Sequence, residues 1–222
     1  MSVAKDPGQR ALPADLARLL HDLRGPLNSL TMHLEVLKRT VQGDAHGEDS
    51  LRTALQQVGR LSEMVPAALA VTALELGPLR SLDLRAVAAR VCGDEAAGAV
   101  TIADGAWPPV VADEALLALA LGHLLRNALE ATAAGARAPV VSGARVGDEV
   151  LVQVRDWGPG LRTTDPRLVF KLLHSTKPGH RGLGLVTVQR IARLHGGELR
   201  FELPGEGTVV MLVLPAVASP RP

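Results

Sequence analysis

Hydrophobic residues in the first third of the chain recur at alternating spacings of four and three: Leu16, Leu20, Leu23, Leu27, Leu30, Leu34, Leu37 and Val41. A heptad seam of that length predicts a long amphipathic helix. The polar run 43–49 then interrupts the pattern and reads as a turn. A second stripe at Leu51, Leu55, Val58, Leu61, Val65 and Leu69 predicts a second helix. Two long helices with a short connection form an antiparallel hairpin, and one hairpin alone cannot bury both stripes. Pairing with a second copy into a dimeric four-helix bundle is the expected solution.

The pattern changes after the break at Leu76-Gly77-Pro78-Leu79. Short strands are expected at 81–84, 99–102 and 110–112, with a helix over 85–97. A long helix follows over 113–134, with Asp113 as its N-cap. Two alternating runs, 139–146 and 149–156, are joined by the Gly147-Asp148 turn. A loop-rich stretch spans 158–181, and then a helix runs over 184–194 to a stop at Gly196-Gly197. A hairpin of 198–203 and 207–214 closes the chain. Helices mixed with a mostly antiparallel sheet imply an α+β sandwich with one face of the sheet covered.

Composition narrows the classes. Hydrophobic residues at 47% and charged residues at 21% of 222 describe a globular chain with enough length to bury real cores. A net charge of +1 with no basic run argues against a nucleic-acid partner. A single cysteine, Cys92, excludes an internal disulfide and fits a reducing cytoplasm. The N-terminus lacks the apolar stretch of a signal peptide, and no run approaches the roughly 20 apolar residues of a membrane span. The seven histidines show no metal-ligand spacing.

Four segments carry chemistry. In His21-Asp22-Leu23-Arg24-Gly25-Pro26-Leu27 the histidine falls one place beyond a seam position and faces solvent, with a carboxylate beside it. Gly and Pro cost about 1 and 3 kcal/mol inside a helix, yet the apolar stripe continues through them. A neutral imidazole is nucleophilic near neutral pH, and a carboxylate neighbour raises its basicity. Asn127 lies in His123-Leu124-Leu125-Arg126-Asn127-Ala128, in the middle of the long helix. Asp156-Trp157-Gly158-Pro159-Gly160 ends a strand. Ser175-Thr176-Lys177-Pro178-Gly179-His180-Arg181-Gly182-Leu183-Gly184-Leu185 is a glycine-rich loop that leads into a helix, a setting suited to phosphate. It matches neither a Walker A loop nor GxGxxG. Taken singly, the first three segments also have an ordinary reading as surface histidine, exposed Asn or turn, and His195-Gly196-Gly197 further on reads as a helix stop.

In order, these segments resemble the H, N, D-x-G-x-G and G2 boxes of two-component sensor histidine kinases, over most of the chain. The first is similar to H-[DE]-x-x-[TN]-P-L. The resemblance implies a dimerisation and histidine-phosphotransfer domain over 8–77 and a catalytic domain of the kinase/gyrase-type (Bergerat) ATP-binding fold over 81–217. It implies that His21 attacks the γ-phosphate of ATP, with Asp22 fixing the tautomer and accepting the proton. Asn127 would hold Mg²⁺ against the phosphates, Asp156 would accept from the adenine amino group, and Gly158 and Gly160 would let backbone approach the base. Thr176, Lys177, Gly182, Gly184 and Leu185 would contact the triphosphate. The implied partners are a second copy and a response regulator that receives the phosphoryl group on an aspartate.

Several positions depart from the family pattern. His123 replaces an Asn, Glu130 a Lys, and His180-Arg181 a Gly-[TS] pair, while the F-box at 169–173 keeps only its first Phe. His180, Arg181 and the eroded F-box favour the alternative of a phosphotransfer or scaffold protein with a degenerate ATP site. The retention of Asn127, Asp156, Lys177, Gly182 and Gly184 speaks for the kinase. A serine kinase or ATPase of the same fold would not need the His21 hairpin. Gly25 stands where the family has the Thr or Asn thought to orient water for dephosphorylating the regulator, so weak phosphatase activity is expected. Because His21 lies twenty residues from Met1, the signal is expected from a separate sensor protein unless the chain has been trimmed.

Overall fold

A computed structural model describes residues 14–41, 44–96, 99–133, 137–160 and 183–216. The chain divides into two compact units, one holding the two long helices through Ala73 and the other beginning at Leu74. The helices are α1 (Ala14–Thr40) and α2 (Ala45–Thr72). The α1 helix continues through Gly25 and Pro26, as the unbroken stripe implies. The expected turn at 43–49 is shorter than read: Asp44 is the N-cap of α2, its Oδ1 accepting from the His46 backbone N–H, so 45–49 are already helical. The cap outweighs the local polarity of this run by satisfying an orphan donor of the first turn.

The seam of α1 splits into two rows. Leu27, Leu34 and Val41 are half-buried, whereas Leu23, Leu30 and Leu37 keep 36%, 47% and 49% of their surface exposed. On α2, Leu51, Val58 and Met64 are buried. Leu61, assigned to the buried stripe from its spacing, is exposed, because Met64 fills the inner position one turn along.

The second unit begins with β1 (Arg80–Leu82) and α3 (Leu84–Ala96). Next come β2 (Thr101–Ile102), β3 (Val110–Ala112) and α4 (Glu114–Ala131). The strands β4 (Val140–Val146) and β5 (Glu149–Arg155) follow, then α5 (Gly184–Leu194), β6 (Glu198–Glu202) and β7 (Val209–Pro215). The main sheet has the order β2-β4-β5-β7-β6 and is antiparallel apart from the β2–β4 pair. β1 and β3 pair with each other in a separate two-stranded sheet, Ser81 opposite Val111.

Alternation along the strands decides the faces. Val141, Val150, Val152, Val154, Leu212 and Leu214 point to one side and pack with α3, α4 and α5 residues such as Leu84, Leu117, Leu121, Leu125, Val188 and Ile191 in one core. Leu151, Val209, Met211 and Val213 form a smaller cluster from the other side. On that outer side Arg200 donates to both carboxylate oxygens of Glu149 at 2.7 Å and to Glu198 at 2.6 Å. The hydrogen bond from Arg200 holds the Glu149 carboxyl below its ordinary range.

Candidate active site

The long helix α4 organises the site. Asp113 caps it, Oδ1 accepting from the Ala115 and Leu116 backbone N–H groups, and its other oxygen accepts from Gly77 N–H at 2.7 Å. With Leu117, Leu121, Leu124, Leu125 and Ala128 buried, the residues His123, Asn127 and Ala131 fall at i, i+4 and i+8 on a half-buried stripe beside the core. The Asn127 side chain makes no hydrogen bond among the described residues.

Two backbone segments meet this stripe. At the start of α5, a Cβ on Gly184 would stand 3.5 Å from His123 Nδ1 and 3.8 Å from Asn127 Nδ2. One turn further along α4, a Cβ on Gly158 would lie 2.5 Å from the Ala131 carbonyl oxygen, a distance no side chain tolerates. Glycine at 158 therefore lets the turn after β5 touch the C-terminal end of α4.

Asp156 occupies the first position of that turn and is 7% exposed. Its Oδ1 accepts from Gly158 N–H at 2.9 Å and from Thr208 N–H at 3.2 Å, while its own N–H donates to the Thr208 carbonyl at 2.9 Å. Oδ2 takes neither of these bonds. Gly207, with φ at +75°, makes the approach sterically allowed, since a Cβ there would meet the Asp156 carbonyl oxygen at 2.0 Å. By its sequence the segment 207–208 is part of the closing hairpin. It grips Asp156 through backbone atoms, which leave no side-chain signature; the sole signal was the paired Gly205 and Gly207.

Gly184 and Gly158 thus lie against α4, at Asn127 and at Ala131; Asp156 opens the turn that carries Gly158, a Cβ on Gly160 would meet the Gly207 carbonyl oxygen at 3.4 Å, and Leu185 is half-buried in the first turn of α5. His123, noted in the sequence as a departure, lies beside Gly184 on the same stripe of α4 as Asn127. His195, read as part of a helix stop, is that and more: Gly197 N–H returns to the Ala192 carbonyl, and His195 Nε2 accepts from the Asp113 backbone N–H at 3.0 Å, tying the end of α5 to the start of α4. Thr176, Lys177 and Gly182 lie outside the described residues, as do His180, Arg181 and the F-box. In the helical unit His21 is an exposed residue of α1; the Asp22 side chain lies outside the described residues.

The donors and acceptors suit a nucleotide. A buried carboxylate with one oxygen fixed by two N–H groups keeps its second oxygen for an amino group. Asn127 offers a neutral amide oxygen, fit for a magnesium ion that arrives with phosphates and waters rather than in a protein cage. No group of three or more His, Cys, Asp or Glu among the described residues forms such a cage.

Two family models match the chain: "His Kinase A (phospho-acceptor) domain" over residues 16–77 and "Histidine kinase-, DNA gyrase B-, and HSP90-like ATPase" over residues 112–218. The chain belongs to the two-component histidine kinase cores. Among relatives of this kinase core, the signal transduction histidine-protein kinase AfsQ2 of Streptomyces coelicolor is 31% identical, matching 97% of this chain and 43% of that protein. The signal transduction histidine-protein kinase AtoS of Escherichia coli is 24% identical over 90% of this chain and 34% of its own. The histidine kinase core thus spans less than half the length of these curated relatives. Its fold is like that of full-length ShkA in complex with AMPPNP, with a TM-score of 0.59 at 24% identity over 94% of this chain and 47% of that one. No helix among the described residues is long and apolar enough to cross a membrane.

Proposed function

We propose that this chain is an ATP-dependent protein-histidine kinase, phosphorylated on His21, that passes the phosphoryl group to an aspartate of a separate response regulator in the cytoplasm. The observation that carries the reading is Asp156: a buried carboxylate pinned through Oδ1 by two backbone N–H groups, with Oδ2 left for an adenine amino group. The ShkA complex with AMPPNP supports the nucleotide half of the proposal.

In this reading residues 8–77 form the dimerisation and phosphotransfer domain and 81–217 the catalytic domain. Asp156 selects adenine, and the Gly158 and Gly160 backbone flanks the base. Thr176, Lys177, Gly182 and the α5 N-terminus at Gly184 and Leu185 hold the phosphates, where the helix dipole favours negative charge. ATP supplies the phosphoryl group, and Asn127 would hold the Mg²⁺ that would screen the charge of the phosphates. A neutral ring nitrogen of His21 forms the new N–P bond as the bond to the ADP oxygen breaks, and Asp22 takes the ring proton. Pro26 has no N–H to give the Asp22 carbonyl, so the helix is locally one hydrogen bond short beside the nucleophile. The exposed row Leu23, Leu30 and Leu37, with Leu61, supports pairing with a second copy.

Titration with a fluorescent ATP analogue tests the nucleotide half. Asp156→Asn keeps the shape but presents either an oxygen or an amide nitrogen to each side, and should weaken binding by about tenfold or more. Equal affinity in the two proteins, with unchanged circular dichroism, would contradict the assignment.

A further inference from the structure

The outer side of the main sheet, away from α3, α4 and α5, carries a cluster that the kinase reading does not use. Along β5 the alternation sends Asp156 to the helix side and Arg155 and Trp157 to the outer side. The Trp157 indole N–H donates to the Ala138 carbonyl at 3.1 Å, which fixes the ring. Two guanidinium groups then stack on that one ring, Arg137 at 4.0 Å and Arg155 at 3.9 Å from its centroid. Two cations so placed lie within about 8 Å of each other and repel.

The contrast with Arg200 on the same face is informative. Arg200 is neutralised by Glu149 and Glu198. Neither Arg137 nor Arg155 has a carboxylate partner among the described residues, and Arg155 Nε is buried with no hydrogen-bond partner at all. The guanidinium groups border an open groove of about 380 Å³, whose wall also includes Ser142, Gln153 and Glu202. Glu202 lies on β6, two strands across the sheet from Arg155, since both residues sit opposite Val209. The groove therefore has a cationic end, neutral hydrogen-bonding groups along it, and one acceptor carboxylate at the far side. Its volume is that of a site for a small ligand.

We propose that this groove binds a small oxyanion-bearing ligand, a phosphate monoester or a carboxylate, whose anionic oxygens bridge Arg137 and Arg155 and whose hydroxyl or amine groups reach Ser142, Gln153 and Glu202. Two indole-stacked guanidinium groups present planar N–H edges suited to bidentate capture of such oxygens. A bound anion relieves their mutual repulsion and gives the unmet Nε–H of Arg155 an environment of opposite charge. Because Trp157 is the next residue after Asp156, occupancy of the groove would be sensed at the turn that holds Asp156, on the opposite side of the sheet. The proposal stands independently of ATP binding.

The test is calorimetry and tryptophan fluorescence on the full chain with three probes at matched ionic strength: inorganic phosphate, glycerol 3-phosphate and citrate, with sodium chloride as reference. Saturable binding is expected for at least one probe, with a change in Trp157 emission. Tighter binding of glycerol 3-phosphate than of phosphate identifies a monoester ligand, and preference for citrate identifies a carboxylate. Arg155→Gln and Arg137→Gln should each weaken binding by about tenfold. The proposal is overturned if no probe saturates beyond the chloride response, or if both arginine variants bind as the wild type does.

Discussion

Position 25 follows His21 by one turn of α1, so a side chain there would stand beside the imidazole. Gly25 supplies none, and a Cβ added at this place meets nothing within 4 Å. A threonine is therefore accommodated without strain, and it also has a slightly better helix propensity than glycine. If regulator dephosphorylation needs a hydroxyl there to orient water, wild-type chain dephosphorylates its regulator weakly and Gly25→Thr raises the rate several-fold. Strong wild-type activity, unchanged by the substitution, would refute this. At this scale the sequence was informative where a side chain acts: Asp156 and Asn127 stood out by type and spacing. It was silent where backbone acts, as at Thr208, whose N–H and carbonyl grip Asp156 and would do so with another side chain in place.

Among the elements, α4 was legible because several local signals agree: an Asp cap, an acidic Glu114 in the first turn, and leucines at helical spacing. It starts after the Asp113 cap and ends at Ala131, short of the expected 134, since Thr132 leaves the helical region as the C-cap. The pairing of β1 with β3 was not legible, because its register joins residues about thirty apart with no turn between them. The double duty of Asp113 was equally hidden, for Gly77 lies 36 positions away. That duty makes a specific prediction. Asp113→Asn has one oxygen for two tasks and should lose about 1 kcal/mol in urea unfolding, whereas Asp113→Ala loses both cap and acceptor and should cost about 2 kcal/mol or more. An Asp113→Asn variant as stable as the wild type would show that the Gly77 contact contributes nothing.

For the whole molecule, the heptad seam leads to the expectation of pairing with a second copy. The row Leu23, Leu30 and Leu37 stays exposed while its alternate row packs within the hairpin. Leu30→Glu with Leu37→Glu should convert a dimer to a monomer in light scattering while leaving nucleotide affinity within about twofold, since neither substitution changes a residue assigned to the nucleotide. A dimer that survives both charges would place the interface elsewhere. The order of the four boxes, rather than any one of them, made the kinase core readable, because each box alone occurs in ordinary turns and helices. Incubation with γ-labelled ATP tests the account most directly: wild type should acquire acid-labile label and His21→Gln none, and label that persists in the variant, or that resists acid, would contradict phosphorylation of His21.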